Sequence, residues 1–392
     1  MTKDSTQRVA IVTSLSGGLG HYAAHLAGPL SKLIPIKFIT YPQLDLSGVV
    51  VKQVTDSLVR HYIKWPRFDL DDSDPTSIIT VSDYLDSRDI NLVNIHVGTT
   101  VKQKINYFTT FCTYLKQDGN KKLIFTLHDV MPFEESKKLT KLLKAFYGLA
   151  DYFTVGNEDE KRRLMKYFEI HEDKIAIIPH GIYNLFNRNL YTPQIAKNFV
   201  GLPANKQIIL FFGFLREYKG LEYLIKAAKI MTKKNNDFVI YVVSGLKFTP
   251  KPLLEESLQL INKLGLQDNF MLNFNYLDSL ELEIIFKASD IVALPYARVS
   301  QSGVERMAFG FSKPVMITDV FSDKTWINKK AGLVAISEDP QSIADKLLQL
   351  ISNPQEAKEY GIYGNKYCLE HFNWDKIAEK YFEVFEKLSS NE

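Results

Sequence analysis

Val9-Ala-Ile-Val-Thr-Ser-Leu-Ser-Gly-Gly-Leu-Gly-His21 begins as an apolar run, breaks at glycines, and leads into Tyr22-Ala-Ala-His-Leu-Ala27. A short unbroken apolar run reads as a strand covered on both faces. Glycines directly after it, followed by an alanine-rich stretch, read as a strand-to-helix turn, with the helix starting near Tyr22. The pattern recurs along the chain. Ile36–Ile39, Leu92–Ile95, Leu123–Leu127 and Tyr152–Val155 read as strands of a first half, and Ile208–Phe212, Phe238–Val243, Phe270–Asn273, Ile291–Leu294 and Pro314–Ile317 as strands of a second. Between them lie helical patterns such as Leu221–Met231, apolar at Leu221, Leu224, Ile225 and Ala228. Strands alternating with helices predict parallel sheets covered by helices, the α/β class.

The length of 392 residues accommodates two domains with a core each. A seam follows Ile175-Ala-Ile-Ile-Pro-His-Gly181, where a polar stretch from about Asn184 to Gln207 precedes the second series. The expected divisions are 1–185, 186–372 and a closing helical segment, 373–392. Lys plus Arg number 48 against 45 Asp plus Glu, a formal +3, which lacks the basic excess of a nucleic-acid binder. No run approaches the roughly 20 apolar residues of a membrane span. The opening residues Met1–Arg8 carry no signal-peptide core, so a cytoplasmic protein is expected. Cys112 and Cys368 are too few for a disulfide framework and lack metal-site spacing.

In open α/β sheets, ligands sit beyond the carboxyl ends of the strands, so the loops there carry the chemistry. The first is Ser14-Leu-Ser-Gly-Gly-Leu-Gly-His21, in which Gly18, Gly20 and Ala23 fit the dinucleotide pattern G-x-G-x-x-A. The ribose-binding acid that a dinucleotide needs after strand two is missing: Tyr41-Pro42 follows, with no carboxylate before Asp45. A phosphate-facing turn and a merely tight turn both remain open.

The second loop, Phe211-Phe-Gly-Phe-Leu-Arg-Glu-Tyr-Lys-Gly220, sets Arg216 and Lys219 where a diphosphate can be neutralised, or where two solvated cations sit in water. The third is Pro295-Tyr-Ala-Arg-Val-Ser-Gln-Ser-Gly-Val-Glu-Arg-Met-Ala308, with a helix expected from Gly303. Ser302 is its N-cap, leaving the amides of Gly303, Val304 and Glu305 to receive an anion. Ser302-Gly-Val-Glu305 also reads as a capping box, with Glu305 reaching back to order the turn.

Taken in order, these segments resemble the retaining GT-B glycosyltransferases of the glycogen-synthase-like group, glycosyltransferase family 4. The resemblance rests on Gly17-Gly18, Thr126-Leu-His-Asp129, Ile178-Pro-His-Gly-Ile182, and Gly213 with Arg216-Glu-Tyr-Lys-Gly220. It extends through Ala288–Tyr296, Gln301-Ser-Gly-Val304, Lys313-Pro-Val315 and Glu370-His-Phe-Asn-Trp-Asp375 with its helix. It implies two Rossmann-like β/α/β domains facing across a cleft, the last helix crossing back to the first domain. The reaction implied moves a hexosyl group from a nucleotide-diphosphate sugar to a glycan, a lipid-linked or a small-molecule acceptor, with neither cofactor nor metal.

Residue by residue, the resemblance puts Lys219 and Arg216 on the donor diphosphate. The amides of Gly303 and Val304 after Ser302 take its distal phosphate, and the Gly17-Gly18 turn closes from the other domain. His128 falls beside the donor sugar and the reacting centre; without the resemblance it reads as a satisfied strand-end histidine. His180 sits at the hinge in a positioning role.

Two departures stand out. The family's paired glutamates fall on Val299 and Met307 here, and its arginine after the strand glycine on Phe214. Gln301-Ser302-Gly303 is similar to a subgroup that lacks the first acidic motif. Glu305 could take the ribose role, although it lies about 200° from Met307 on an ideal helix. A catalytically reduced partner subunit and a nucleotide-sugar epimerase are the alternatives on this fold; the latter needs a carboxylate pair that does not stand out. A pyridoxal-phosphate phosphorylase lacks a distinctive lysine. The pairs Asp69/Asp71 and Asp72/Asp74 could hint at a D-x-D metal site but are expected in a solvated loop after Trp65-Pro66. Finally, residues 136–147 form an amphipathic stretch whose lysines 137, 138, 141 and 144 flank Leu139, Leu142, Leu143 and Phe146. It reads either as a domain helix or as a peripheral contact to the inner face of a membrane.

Overall fold

A computed structural model describes residues 8–15, 17–41, 59, 61, 63, 68–71, 74–98, 102–117, 119–131, 137–245, 249–275, 277–321, 326 and 331–390. Asp45, Trp65-Pro66, Asp72, Ser136 and the opening residues 1–7 lie outside them. The contacts divide the chain into Met1–Gly181 with Phe372–Glu392, and Ile182–His371.

Among the described residues the first unit holds strands β1 (Val9–Ser14), β2 (Ile36–Tyr41), β3 (Phe68–Asp69), β4 (Leu92–Val97), β5 (Lys122–Leu127), β6 (Tyr152–Val155) and β7 (Ile175–Ile177). Its helices are α1 (Gly17–Ser31), α2 (Thr76–Asp86), α3 (Lys102–Leu115), α4 (Lys137–Tyr147) and α5 (Glu158–Phe168). The strands make one parallel sheet in the order β3-β2-β1-β4-β5-β6-β7. Every residue of β1 and β4 is buried, as a parallel strand covered on both faces requires. Phe111, Leu123, Phe125, Phe146 and Phe153 fill the centre of the core.

The second unit holds β8 (Gln207–Phe212), β9 (Phe238–Val243), β10 (Phe270–Asn273), β11 (Ile291–Leu294), β12 (Val315–Thr318) and β13 (Gly332–Ala335). Its helices are α6 (Pro193–Val200), α7 (Leu221–Met231), α8 (Lys251–Leu264), α9 (Ser279–Ala288), α10 (Gly303–Gly310), α11 (Pro340–Ser352) and α12 (Pro354–His371). Its sheet is parallel, ordered β10-β9-β8-β11-β12-β13. The last helix, α13 (Trp374–Ser389), belongs to the first unit and packs along α1.

The α/β class expected from the sequence is the class observed, with local differences. Helix α1 starts at Gly17 rather than near Tyr22, because the glycines are its first turn. Gly20 lets that turn press against Leu15, where a side chain would come within 2.5 Å of the Leu15 carbonyl carbon. The polar stretch 184–207 contains a helix, α6, capped by the Thr192 hydroxyl, with Pro193 inside its first turn and left-handed Gly201 after its end. Asp69 is not in a loop: Phe68–Asp69 pairs with Ile39–Thr40 as an edge strand. Asp74 bonds the Thr76 amide and hydroxyl at the start of α2. The division falls after Gly181 because Tyr183 already packs on α10, its amide 3.4 Å from the Arg306 carbonyl.

Both sheets reverse their winding once, between β1 and β4 and between β8 and β11. At each reversal two loops leave the carboxyl edge in opposite directions, opening a crevice in that unit.

Candidate functional site

In the second unit the crevice is built from the loops after β8 and β11. Gly213 ends β8 at φ 105, a left-handed backbone that a side chain rarely adopts. The chain then passes through Arg216 into a single 3-10 turn, Glu217–Lys219, and reaches left-handed Gly220 before α7. The two loops are tied by the Ala297 amide, which donates to the Tyr218 carbonyl at 2.7 Å. The turn folds Lys219 back over the end of its own strand. A methyl on Gly213 would lie 2.5 Å from Lys219 Nζ.

Lys219 is buried, 9% exposed, and forms no ion pair with a described residue. Its ammonium lies 5.6 Å from the centre of the Tyr296 ring. Burial, and secondarily the charge of Arg216, lowers its pKa to about 8. The Arg216 guanidinium bonds the Leu215 carbonyl at 2.7 Å. A buried cation that meets, among the described residues, a ring and a second cation but no carboxylate is costly unless an anion arrives.

The amino end of α10 lies beside this cation: Val304 Cγ2 is 3.8 Å from the point a Gly213 methyl would occupy. Ser302 caps the helix, its hydroxyl accepting the Glu305 amide at 3.2 Å and hydrogen-bonded with the Tyr296 hydroxyl. The Glu305 amide is therefore spent, and of the three expected donors those of Gly303 and Val304 lie ahead of it. Glu305 is itself buried at 4% exposure, and Met307 likewise faces the interior. The structure thus brings Arg216, Lys219, Ser302, Gly303 and Val304 together at one switch point.

In the first unit the crevice is built from the turn after β1 and the ends of β4 and β5. Gly17 opens α1 at φ 60, and a side chain on Gly18 would enter open space. The amino end of α1 is a second helix terminus, carrying about half a positive charge. His128 follows β5, its amide bonded to the Val97 carbonyl at 2.9 Å. Its ring is packed edge-on to Tyr22 at 4.8 Å between centres and lies 5.6 Å from His180. Burial pulls its pKa down to about 4, so the imidazole is neutral near pH 7.

Behind His128 lies a cluster whose role sequence reasoning missed. His96, on the adjoining strand β4, presents Nδ1 3.4 Å from His128 Nε2. Tyr22 also touches His96, His180 and Trp374. Its hydroxyl lies 3.0 Å from that of Tyr381 on α13. His180 precedes Gly181, where a side chain would overlap the Trp374 ring, 2.5 Å from Cε2. The available signal was register: His96 pairs with Thr126, so it shares the carboxyl edge with His128.

The apolar stripe of α4 faces inward: Leu143, Phe146 and Tyr147 are buried, with Leu139 and Leu142 packed on the same core. Lysines 137, 138, 141 and 144 are all exposed, and Lys144 pairs with Glu169 at 2.7 Å.

Comparison with known proteins fits this architecture. Residues 16–183 match the family described as Glycosyltransferase Family 4, and residues 194–367 match Glycosyl transferases group 1. The chain is thus a GT-B protein of the group 1/family 4 glycosyltransferase type. D-inositol 3-phosphate glycosyltransferase of Corynebacterium diphtheriae is 26% identical over 251 residues, 60% of this chain. That match spans 56% of the relative's own length, little more than half. A glycosyltransferase structure from Rickettsia africae superposes with a TM-score of 0.74 at 17% identity, covering 99% of this chain and 100% of that one. HepE of Anabaena in complex with UDP and glucose gives a TM-score of 0.75 at 15% identity, covering 98% and 100%.

Proposed function

We propose that the chain is a retaining glycosyltransferase that moves a hexosyl group from a nucleotide-diphosphate sugar to a glycan, a glycolipid or a small-molecule acceptor. The observation that carries this reading is Lys219: a buried ammonium with no carboxylate partner among the described residues, held over a strand-end glycine beside the amino end of α10. Such a site is complementary to a diphosphate. As the sugar–phosphate bond breaks, negative charge grows on the leaving diphosphate while the sugar becomes oxocarbenium-like. Lys219, Arg216 and the amides of Gly303 and Val304 stabilise that charge, an electrostatic contribution of several kcal/mol. In this reading no metal ion or organic cofactor is needed, because fixed cations and helix amides neutralise the leaving group.

Gln301-Ser302-Gly303 supports placement in the Gln-Ser-Gly subgroup, with Ser302 spent on capping and its neighbours on phosphate. Within the first unit, the Gly17-Gly18 turn and the neutral imidazole of His128 are the candidate groups for phosphate and sugar. No helix of the described residues is long and apolar enough to cross a membrane. In this reading the chain works on the cytoplasmic donor pool, and any contact of α4 with the inner face of a membrane is through its lysines. A catalytically reduced partner subunit would keep the diphosphate site without turnover.

The test is a thermal-shift panel of nucleoside diphosphates and their sugars, beginning with UDP and UDP-glucose. A ligand present at 100 times its Kd stabilises by about 2.7 kcal/mol. A shift with one base, lost in Lys219→Ala, supports the site; no shift with any of them overturns the reading. Release of nucleoside diphosphate with formation of an α-linked product from an α-linked donor separates the retaining enzyme from the inactive subunit.

A further inference from the structure

Asn94, His96, Thr126, His128, Thr154 and Tyr381 are joined behind the carboxyl edge of the first sheet by bonds that have a direction. The Thr154 hydroxyl donates to Thr126 Oγ1 at 2.8 Å. Thr126 Oγ1, accepting that bond, donates its own hydroxyl hydrogen to Asn94 Oδ1, also at 2.8 Å. With its oxygen engaged, Asn94 turns its amide nitrogen toward His96 Nε2 at 3.4 Å. An amide nitrogen only donates, so His96 Nε2 must be bare and its proton must sit on Nδ1. His96 Nδ1 faces His128 Nε2. His128 Nε2 is then the acceptor, and its proton is forced to Nδ1, an atom with no hydrogen-bond partner among the described residues.

We propose that His96 is a positioning residue: by donating from Nδ1 to His128 Nε2, it fixes His128 as a neutral ring protonated on Nδ1. His128 therefore meets a substrate oxygen as a hydrogen-bond donor, not as a base. The relay is set from the far side by Thr154 and Thr126 and braced by Tyr381, whose hydroxyl lies 3.5 Å from Thr126 Oγ1. Asn94, His96, Thr126 and Thr154 are all buried, so water does not compete for these bonds. The proposal rests on the reading of His128 as a group at the transfer site, but its structural half does not need activity.

The test uses the full chain with 15N-labelled histidine and long-range proton–nitrogen spectra at pH 7, assigned through single-histidine variants. The expected result is that His96 and His128 both carry the proton on Nδ1. Finding His128 protonated on Nε2, or an even mixture of the two forms, overturns the proposal. Asn94→Asp keeps the shape of the side chain but can only accept, so it should move the His96 proton to Nε2 and turn His128 round. Thr126→Val removes the anchor of Asn94 without adding charge and should give mixed tautomers. Each variant should lower kcat at least about tenfold with a smaller change in donor KM, as should His96→Ala, whereas His96→Asn, which retains a donor at the Nδ1 position, should recover most of what His96→Ala loses. Inverted spectra with unchanged kcat overturn the positioning role alone. Failure of the nucleotide panel instead overturns the transferase reading while the wild-type spectrum stands.

Discussion

Lys219 Nζ occupies the space that a side chain on Gly213 would need: a methyl there would sit 2.5 Å from the nitrogen. The glycine thus has two functions, accepting φ 105 and vacating the place of the ammonium. Removing the cation by Lys219→Ala should lower kcat/KM about 10²–10³-fold, the scale of one lost transition-state donor, without loss of the fold. Gly213→Ala should produce a similar defect although Lys219 is still present, together with about 1–3 kcal/mol of destabilisation. Wild-type turnover in either variant, measured under saturating acceptor, removes the diphosphate assignment.

Proton uptake should accompany donor binding. Lys219 titrates near pH 8 in the empty protein because burial and Arg216 disfavour its charge. A bound diphosphate favours the charge and raises the pKa, so binding between pH 8 and 9 takes up a proton. Calorimetric enthalpies there should depend on the ionisation heat of the buffer, and affinity should fall as pH rises through 8. Buffer-independent heats would contradict this. In the unliganded protein the sign runs the other way for stability. The cost of burying the charge is full below pH 8 and is relieved as pH climbs toward the unfolded value of about 10.4.

Acid should loosen the first unit. His128 titrates near 4 and His25 near 3 when folded, both through burial, and His96 is pushed the same way. Above the unfolded value of about 6.5 all are neutral and contribute nothing. Below it the unfolded chain takes protons that the folded rings refuse, costing about 1.4 kcal/mol per group per pH unit until the folded pKa is reached. Hydrogen exchange in β4 and β5 should therefore accelerate between pH 6.5 and 4 by more than intrinsic chemistry explains. Replacing His25 with Leu should reduce the effect.

Two of the glycines in the α1 turn, Gly18 and Gly20, should separate binding from folding. Gly18→Leu meets open space, so the protein should fold normally and lose donor affinity. Gly20→Ala puts a carbon against the Leu15 backbone and should destabilise by about 1–3 kcal/mol. Melting temperature and ligand shift, measured together on both variants, distinguish the roles.

Vesicle binding through α4 should be electrostatic only, because the leucine and phenylalanine stripe is already in the core. Cosedimentation with anionic vesicles should vanish at about 0.5 M salt, where charges are screened within a few ångström. Salt-resistant binding would show that the stripe can leave the core.

Most strands were legible because covered parallel strands are continuous apolar runs, and the reading was within a residue or two for β1, β6, β9 and β10. Phe68–Asp69 and Ile175–Ile177 escaped because two or three residues carry no pattern, and Gly332–Ala335, as short as β6, opens on glycine and closes on alanine, which carry little strand signal. At the candidate site, Lys219 and Ser302 could be named from loop position. Whether Lys219 was solvated could not, because its burial comes from the back-folded 3-10 turn and the Tyr296 ring. His96, Tyr22 and Tyr381 were hidden for a different reason. Their significance lies in contacts between segments far apart in sequence, with Tyr22 and Tyr381 separated by 359 positions.

That separation also orders events during synthesis. The second unit is one unbroken stretch, Ile182–His371, inserted between the two pieces of the first. A ribosome delivers all of it before it delivers α13, so the second unit can reach its native contacts while the first still lacks Trp374 and Tyr381. Until those residues emerge, Tyr22 has no hydroxyl partner on α13 and the ring packed against Gly181 is missing. The Lys219 turn and the start of α10 in the second unit can therefore be finished during translation, while the histidine cluster must wait for the last helix.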